Sequence, residues 1–330
     1  MANHGPAHNE KIPEKDFIAL FESIGPRALA RKLGYSTDRA VFKRRLDIER
    51  RRNIKIVPPK DEKILRSEGD NHARLHLKID DGMVLIGSDS HYWPGEPSTA
   101  HKAFVHFCKV YKQKLRAVIK NGDELDGSTI SRHAPIGWEK RPSLIDEMEV
   151  VKERLEEIEK VIGAACPLYW PLGNHDARFT TRLAHVAPEY ARVYGVQLKD
   201  HFPFWKPCWS LFINDDVVVK HRMKGGIHAT RTNALNSGKT IITGHLHSLK
   251  VTPLTDYNGT RWGVDCGTMM DPGIGEPWGD QALNYTEDNA LDWRAGFVVL
   301  TFKGGRLLWP EVVHVIGKGK VEFRGEVLEV

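Results

Sequence analysis

The sequence predicts an α/β domain built on a mixed β-sheet and preceded by a small all-α domain. From about residue 76 onward, short apolar strands alternate with amphipathic helices, which is typical of the α/β class. Residues 14–52 show helical periodicity alone, and a proline-rich stretch at residues 57–59 separates the two patterns. We therefore predict a basic helical domain at 1–56, a linker at 57–75 and the α/β domain at 76–330.

The elements of the larger domain follow from its apolar runs and turn residues. Ser143 is placed to cap a long helix, and Asn214 with Asp215 marks the turn of a β-hairpin. The C-terminal third is predicted to be mostly strands. In chain order, we predict strands at 83–88, 116–120, 167–172, 209–213, 217–220 and 239–243, with helices at 99–113 and from 144 onward.

The N-terminal domain is predicted to contain three helices. A Gly-Pro pair at residues 25–26 ends the first and opens a second, which Gly34 stops. Ser36 or Thr37 is placed to cap a third helix that runs to about residue 52. The apolar face of the first helix carries Phe17, Leu20, Phe21 and Ile24.

Charge is unevenly distributed along the chain. The formal net charge of +5 consists of +6 over residues 1–75 and −1 over the remainder. Residues 26–55 alone carry eleven Lys and Arg against three Asp and Glu. A basic segment of this kind predicts contact with a polyanion, and a solvated helical face is the simpler alternative.

Composition places the chain among soluble globular proteins. The apolar fraction is 41% and the charged fraction 28%, which are ordinary values. No apolar run is long enough for a bilayer and no signal-peptide stretch is present, so we expect a cytoplasmic protein without a membrane partner. Nothing in the composition indicates an oligomeric state. Four scattered cysteines are expected to be reduced and mostly buried, namely Cys108, Cys166, Cys208 and Cys266.

Five polar clusters directly follow predicted strands. Catalytic loops of α/β domains gather at strand ends, where glycines allow sharp turns. Carboxylate, carboxamide and imidazole ligands suit Mn, Fe, Zn or similar divalent ions, and one shared carboxylate can hold two ions about 3.5–4 Å apart. The sequence therefore predicts a two-metal site. The clusters are GSDSH at 87–91, GDELDG at 122–127, GNHD at 173–176, VKH at 219–221 and GHLH at 244–247.

The order of these motifs over residues 83–270 resembles the calcineurin-like metallophosphoesterase superfamily. The resemblance implies a sandwich of two mixed β-sheets flanked by helices. It also implies two divalent metal ions, with Mn²⁺ expected first and Fe, Zn, Ni or Mg as alternatives. The implied reaction is phosphoester hydrolysis, in which a hydroxide between the metals attacks phosphorus and a histidine protonates the leaving group.

The resemblance assigns a role to each polar residue by its position in the motifs. Asp123 matches the carboxylate that bridges the two metals. His175 matches the histidine that protonates the leaving group, and Asp126 matches the carboxylate that orients it. The expected ligands are Asp89, His91 and His247 for one metal, and Asn174, His221 and His245 for the other.

His221 is the assignment with a competitor. The family motif often places glycine after this histidine, whereas Arg222 follows here, and His228 lies close behind. His221 is preferred because it ends an apolar strand. The remaining histidines are expected to be surface or structural residues, although His133 could instead face substrate; they include His101, His106, His133 and His185.

Residues 26–46 resemble a helix-turn-helix. Ala30 and Gly34 have the spacing of its tight turn, while the apolar position of the second helix falls on Ala40, with Val41 one place late. A basic helical bundle that only docks or regulates is the alternative. The resemblance implies a DNA partner, with phosphates contacted by Arg39, Lys43, Arg44, Arg45, Arg51 and Arg52.

Together these features predict a nuclease or DNA-end phosphoesterase, similar to the repair nucleases of the superfamily. A phosphomonoesterase or small-molecule phosphodiesterase is the second alternative. Gly127 disfavours a protein phosphatase, because those enzymes place a phosphate-clamping arginine after the carboxylate that Asp126 matches. A DNA-binding regulator with an inactive esterase domain is the third alternative, against which the complete ligand set argues.

Overall fold

The computed structural model describes residues 12–35, 38–56, 72–134, 141–164, 166–190, 193–270 and 292–330. The chain divides into two compact units, residues 1–69 and 70–330. The predicted caps Ser36 and Thr37 and most of the predicted linker lie outside the described residues. Within the described ranges, no helix combines the length and the apolar character that crossing a membrane requires.

In the described residues, two helices precede the first strand, and the remaining helices lie between strands. The helices are α1 (Glu14–Lys32), α2 (Arg39–Arg52), α3 (Thr99–Val110), α4 (Leu144–Ile162), α5 (Asp176–Val186), α6 (Leu198–His201) and α7 (Ala229–Ser237). The strands are β1 (His72–Leu77), β2 (Gly82–Gly87), β3 (Leu115–Lys120), β4 (Leu168–Pro171), β5 (Trp205–Ile213), β6 (Val217–Val219), β7 (Thr240–Thr243), β8 (Lys250–Asp256), β9 (Gly259–Asp265), β10 (Gly296–Lys303), β11 (Arg306–Leu307), β12 (Glu311–Gly317), β13 (Lys320–Phe323) and β14 (Glu326–Glu329).

The first unit is helical in its described part. α1 is kinked at Gly25, whose backbone angles (φ 76°, ψ 168°) are not helical. The first and the second predicted helix are therefore the two halves of α1. Its second half stops where predicted, because Gly34 takes a φ of 72° and lets the Tyr35 N–H donate to the Ala30 carbonyl at 2.9 Å.

The apolar core of the first unit corrects the position of one core residue predicted in α2. Val41 is fully buried, whereas the neighbouring Ala40 is exposed, so Val41 supplies the apolar contact expected of Ala40. The helix-turn-helix itself stays a prediction. Among the described residues of the unit, the buried apolar side chains are Phe17, Phe21, Leu29, Ala30, Leu33, Val41, Ile48 and Ile56.

The second unit has the predicted mixed α/β architecture. Its strands form one connected sheet in the order β14-β13-β12-β10-β2-β3-β4-β5-β6-β7-β9-β8, with β1 beside β5 and β11 beside β10. Strands β2 to β5 run parallel, whereas β6 is antiparallel to β5 and β10 is antiparallel to β2. β1 begins at His72, inside the stretch predicted as linker, because it pairs in parallel with β5.

The sheet folds over on itself. β2 and β7 are five places apart in strand order, which is about 24 Å on a flat sheet at about 4.8 Å per strand. Yet Gly244, which follows β7, lies so close to Ser88, which follows β2, that a Cβ atom on Gly244 would collide with the Ser88 Oγ. The two sheets of the expected sandwich are therefore two halves of a single sheet.

Strand β5 joins the two halves. Its residues 205–208 pair in parallel with β4, and its residues 211–213 pair antiparallel with β6. The carboxyl ends of β4 and β6 therefore both reach the middle of β5, near Trp209. This junction brings together two loops that a flat sheet would hold apart.

Helices flank the folded sheet. α3 and α4 bury Phe104 and Leu155 in the larger apolar core, and α7 packs Ala234 against the other half. Ser143 caps α4 as predicted, through a capping box with Asp146. All four cysteines are free, and three of them are buried.

Candidate metal centre

Polar side chains from the ends of five strands meet in one cluster. Asp89 and His91 follow β2, Asp123 follows β3, Asn174 and His175 follow β4, His221 follows β6, and His245 and His247 follow β7. Three groups of side chains around this cluster have ligand atoms that all lie within 4.8 Å of one another. These groups are Asp89 with His91 and His247, His91 with Asp126 and His175, and Asp123 with His221 and His245.

Unpartnered polar atoms distinguish this cluster from a structural one. Buried polar atoms in proteins almost always have a hydrogen-bond partner, and leaving one without costs about 1–3 kcal/mol. Several ligand-type side chains have such an atom here, and carboxamide oxygens and imidazole nitrogens are ligands that divalent cations accept, so the residues fit a metal site. The atoms are His91 Nε2, Asn174 Oδ1, His221 Nε2 and His247 Nδ1.

The two carboxylates at the centre are almost completely buried. Asp89 Oδ1 lies 2.9 Å from His247 Nε2, and Asp123 Oδ2 lies 3.0 Å from His221 Nε2. The His221 Nε2 atom is also 3.9 Å from Asp89 Oδ1, so this imidazole lies between both carboxylates. Two anions this close inside a protein require positive charge between them.

The pKa values of Asp89, His221 and His91 are shifted in the directions that favour a charged carboxylate and protonated imidazoles. Burial would raise the pKa of Asp89, but the charges of His247 and His221 outweigh it and lower the pKa to about 2. Burial would lower the pKa of His221, but Asp123 and Asp89 outweigh it and raise the pKa to about 10. For His91, the hydrogen bond to Asp126 and nearby carboxylates likewise overcome burial and raise the pKa to about 9.

Backbone contacts orient His221. Its Nδ1 lies 2.8 Å from the Asn121 carbonyl, which leaves Nε2 facing Asp123. His228, the competing histidine, is exposed immediately before α7 and belongs to none of the three candidate groups of the described residues. The geometry therefore places His221 rather than His228 at the cluster.

Asp176 holds two of the loops in position. Its buried carboxylate accepts hydrogen bonds from the backbone N–H groups of Asp123 at 2.9 Å, Glu124 at 3.0 Å and Gly173 at 2.8 Å. The loops after β3 and β4 are thereby tied together. Asp176 had no predicted role, although it is the last residue of the GNHD motif.

Backbone strain is concentrated at the predicted ligands. A non-glycine residue in the left-handed region costs about 1–3 kcal/mol, and such residues cluster at functional sites as well as in turns. Five of the predicted ligands have positive φ: Asp89 (54°), His91 (40°), Asp123 (55°), His245 (74°) and His247 (57°).

Two motif glycines are required by close approach. A Cβ atom on Gly173 would collide with the Asp123 carboxylate, and one on Gly244 would collide with Ser88 and Asp89. The backbone of each loop therefore passes directly against a carboxylate of the cluster. This explains why GNHD and GHLH both begin with glycine.

His175 lies at the edge of the cluster with the predicted partner. Its Nδ1 is 2.7 Å from the Asp126 carbonyl and 3.1 Å from the Asp126 carboxylate, and its Nε2 is 3.9 Å from Asp123 Oδ2. Asp126 also lies 3.3 Å from His91 Nδ1. This carboxylate therefore contacts one predicted ligand as well as the predicted acid.

Arg178 is a site residue that the sequence motifs did not reveal. Its guanidinium donates to the Asp126 carbonyl at 2.8 Å and lies 3.2 Å from His175 Nε2. Its side chain passes over Gly127, whose added Cβ would stand 3.4 Å from the Arg178 Cδ. The available signal was its position three residues after His175, which puts both on one face of α5.

A cleft of about 670 Å³ opens beside the cluster, and Asn174 and His221 line it. We call this cleft, with its lining residues Arg132, Arg178, Arg182, Trp209, Lys220 and Arg222, the basic cleft. His133 and His185 also line it. His101 is buried and structural, with Tyr92 OH at 2.7 Å and Glu157 at 2.9 Å, and His106 is exposed.

Most of the predicted DNA-contacting residues of α2 have partners in their own unit. Arg51 and Arg52 both pair with Glu14 of α1, at 2.8 Å and 2.5 Å. Arg44 donates to the Ile12 carbonyl, and Arg45 pairs with Glu49 at 3.5 Å. Arg39 and Lys43 are exposed and form no ion pair among the described residues.

No family model and no curated protein matches this chain. Among solved structures it is similar to Vps29 complexed with Zn²⁺ from Entamoeba histolytica, at 12% identity and a TM-score of 0.37 over 75% of this chain and 98% of that one. A conserved uncharacterized protein from Streptococcus pneumoniae TIGR4, described as a predicted phosphoesterase, matches at 12% identity and a TM-score of 0.32 over 74% and 99% of the two chains.

A protein serine/threonine phosphatase from Saccharomyces cerevisiae matches at 13% identity and a TM-score of 0.36, over 82% of this chain and 96% of that one. TM-scores below 0.5 mark remote likenesses. We therefore base the function proposed below on the side chains of the site itself.

Proposed function

We propose that this chain is a two-metal phosphoesterase that hydrolyses phosphodiester bonds. The single observation that carries the proposal is the largely buried cluster of carboxylate, carboxamide and imidazole side chains, four of which carry a buried polar atom without a hydrogen-bond partner. Two divalent ions bound there would neutralise phosphoryl oxygens and lower the pKa of a water molecule to near neutral. The motif order of the calcineurin-like metallophosphoesterases supports the same assignment.

Each metal has a proposed set of ligands. Asp123 is proposed to serve both, because its carboxylate contacts His221 and lies near Asp89 and His175. Mn²⁺ is the proposed ion, with Fe, Zn, Ni or Mg as alternatives that the same ligand types accept. The sets are Asp89, His91 and His247 for one ion, and Asn174, His221 and His245 for the other.

His175 is the proposed general acid. Its Nε2 faces the cluster, while Nδ1 is held by the carbonyl and the carboxylate of Asp126. A carboxylate that holds one ring nitrogen fixes the orientation of an imidazole, so Asp126 would direct the other nitrogen at the departing oxygen. Arg178, 3.2 Å from the same Nε2, lines the cleft and is proposed to contact the phosphate.

The proposed substrate is DNA, which makes the enzyme a nuclease or DNA-end phosphoesterase. The support is positive charge without ion-pair partners among the described residues, on Arg39 and Lys43 of the first unit and on the exposed arginines of the basic cleft in the second. Sequence-independent phosphate contacts of this kind provide most non-specific affinity for nucleic acid. The small-molecule phosphoesterase is the alternative that the following experiment separates.

The test is an activity panel on the full chain, first stripped of metal with chelator and then supplied with Mn²⁺. It contains a chromogenic phosphodiester, a chromogenic phosphomonoester, single- and double-stranded DNA, and RNA. We expect no activity before Mn²⁺ addition, and diester and DNA cleavage afterwards. Hydrolysis that survives complete metal removal would contradict the two-metal proposal. Cleavage of the small esters without any cleavage of nucleic acid would move the small-molecule alternative into first place.

A further inference from the structure

We propose that the basic cleft binds a single-stranded polynucleotide, with Trp209 stacking on an unpaired base beside the scissile phosphate. The inference rests on the proposed function and specifies the form of its substrate. It differs from the DNA contact predicted for α2, because every residue that carries it belongs to the second unit.

The first step is the charge of the cleft. Arg132, Arg182 and Arg222 are exposed, and none forms an ion pair with another described residue. None of the described residues that line the cleft is Asp or Glu. Cations held close together without counter-charges raise the local potential and favour a polyanionic ligand.

The second step is continuity with the metal centre. Asn174 and His221 line the basic cleft, so a chain bound there reaches the predicted ligands directly. A second hollow of about 440 Å³ shares Lys220 and Arg222 with the basic cleft and is also lined by Lys224 and His245. Positive side chains therefore line both hollows, and each hollow includes a predicted ligand. That arrangement suits a phosphate chain that runs across the site better than a ligand with one terminal phosphate.

The third step is the exposed aromatic ring. Trp209 is 50% exposed, although it lies in the middle of β5 between two largely buried neighbours, Cys208 and Ser210. Because β4 and β6 both end beside this part of β5, Trp209 stands next to the loops that carry Asn174 and His221. An aromatic face beside a basic groove is the arrangement with which proteins bind bases of single strands.

The fourth step separates single strands from duplexes. In a duplex the faces of each base are covered by stacked neighbours, so an exposed indole gains a partner only when a base is unpaired or flipped out. The cleft volume of about 670 Å³ falls within the range of roughly 300–1,000 Å³ that encloses a drug-sized ligand. Such a cleft accommodates a few nucleotides rather than the side of a double helix.

The main test measures equilibrium binding of the full-length protein to fluorescent 12-nucleotide single-stranded DNA, single-stranded RNA and a DNA duplex. Trp209→Ala should weaken binding of at least one single strand by about 5- to 150-fold, the range of one stacked base, and leave duplex binding unchanged. Trp209→Phe should restore most of the affinity because it keeps an aromatic face. Trp309→Ala provides the matched control, since Trp309 is 59% exposed but does not line the cleft.

If Trp209→Ala does not fold, a second variant still tests the proposal. Replacing Arg132 and Arg182 together with Gln should reduce the log–log salt slope for single strands by about 1.4, at roughly 0.7 for each phosphate that is no longer neutralised. The control replaces Arg306 and Lys112 with Gln, because both are exposed and neither lines the cleft. That control pair changes the net charge equally and should leave the slope unchanged.

Hydrolysis of the small chromogenic diester separates the two proposals. If wild-type protein with Mn²⁺ does not hydrolyse it, the proposed function fails. If wild-type protein hydrolyses it but the single-strand affinities of Trp209→Ala and of the Arg132 and Arg182 variant equal the wild-type values, the cleft inference is overturned and the function stands. A preference for DNA or for RNA among the affected strands identifies the sugar and supports the inference in either case.

Discussion

Two regions of this chain are rich in arginine, and the structure uses the arginines differently. In α2, Arg51 and Arg52 both meet Glu14, and the guanidinium of Arg44 lies 4.6 Å from the Phe17 ring centre. In the basic cleft, Arg132 and Arg182 are exposed and have no ion-pair partner among the described residues. The first region mostly binds its own unit, whereas the second faces outward next to the metal centre.

The comparison shows that the density of basic residues is a weak guide to nucleic-acid contact. Arginine stems pack on apolar surface and their heads pair with carboxylates, so a basic helix can be basic for structural reasons. What indicates an external ligand is a group of charged or polar atoms that lie together without internal partners. The candidate metal centre and the exposed arginines of the basic cleft meet that criterion, and among the residues of α2 predicted to contact DNA, Arg39 and Lys43 lack ion-pair partners in the described part of the chain.

The largest expected effect is at the metal centre. Asp123→Asn removes charge from the carboxylate proposed to serve both ions, so hydrolysis of the chromogenic diester should fall by orders of magnitude. Metal content, measured by mass spectrometry, should fall with it while the circular dichroism spectrum stays unchanged. Asp47→Asn, which alters an exposed acid of α2, should change neither quantity. Full activity with normal metal content in Asp123→Asn would refute the assignment.

The next effect concerns the proposed acid. His175→Asn should retain both metals and lose a factor of roughly 10²–10⁴ in turnover of a diester with a poor leaving group. The loss should be smaller for a nitrophenolate leaving group, which departs without a proton. Parallel kinetics on the two substrates provide the measurement, and an equal loss on both would count against the role.

A glycine pair tests the close packing of the centre. Gly244→Ala inserts a methyl group against Ser88 and Asp89, and a displacement of about 1 Å at a catalytic group can cost about 10²-fold in rate. Gly317→Ala is the matched control, because its Cβ would have no atom within 4 Å and its backbone needs no positive φ. We expect the diester rate to fall only in Gly244→Ala, and equal rates would show that the loop tolerates the shift.

The salt dependence of DNA binding tests whether the residues of α2 without an ion-pair partner contact DNA more than those paired with Glu14. Replacing Arg39 and Lys43 with Gln should reduce the log–log slope for duplex DNA by up to about 1.8, at roughly 0.9 per phosphate contact. Replacing Arg51 and Arg52 should reduce it less, because Glu14 already neutralises part of their charge. Titrations at several salt concentrations measure both slopes. Should the second pair have the greater effect, Glu14 must release its arginines when DNA binds.

The smallest expected effect is on the stability of the first unit. The hydrogen bond from Arg51 is the largest influence on Glu14 and, with the charges of both arginines, lowers its pKa below the usual 4.5. A carboxylate whose pKa is lower in the folded state stabilises the fold above pH 4.5. That contribution to the free energy of unfolding is lost as the pH falls through the lowered pKa. Glu14→Gln should therefore lower the unfolding midpoint slightly at pH 7, because exposed pairs are weak. No difference should remain well below pH 4.5, and a persisting difference there would point to packing rather than charge.

The sequence by itself determined the elements that depend on neighbouring residues. Ser143 caps α4 and Gly34 ends the second half of α1, because caps and stops are decided within a few positions. The candidate metal residues follow apolar strands at the predicted points, and the mixed α/β class follows from the same alternation. Their roles as ligands stay predictions that the metal experiments address.

The tertiary structure decided which distant residues meet. β5 pairs with β4 through one part and with β6 through another, and this junction brings Asn174, His221 and Trp209 to one cleft. Periodicity in the sequence shows which face of an element is apolar, but not which strand it pairs with or which acid faces an arginine. Those choices depend on contacts between residues far apart in the chain. For the same reason, the role of Arg178 beside His175 and the pairing of Glu14 with the arginines of α2 became visible only in the folded chain.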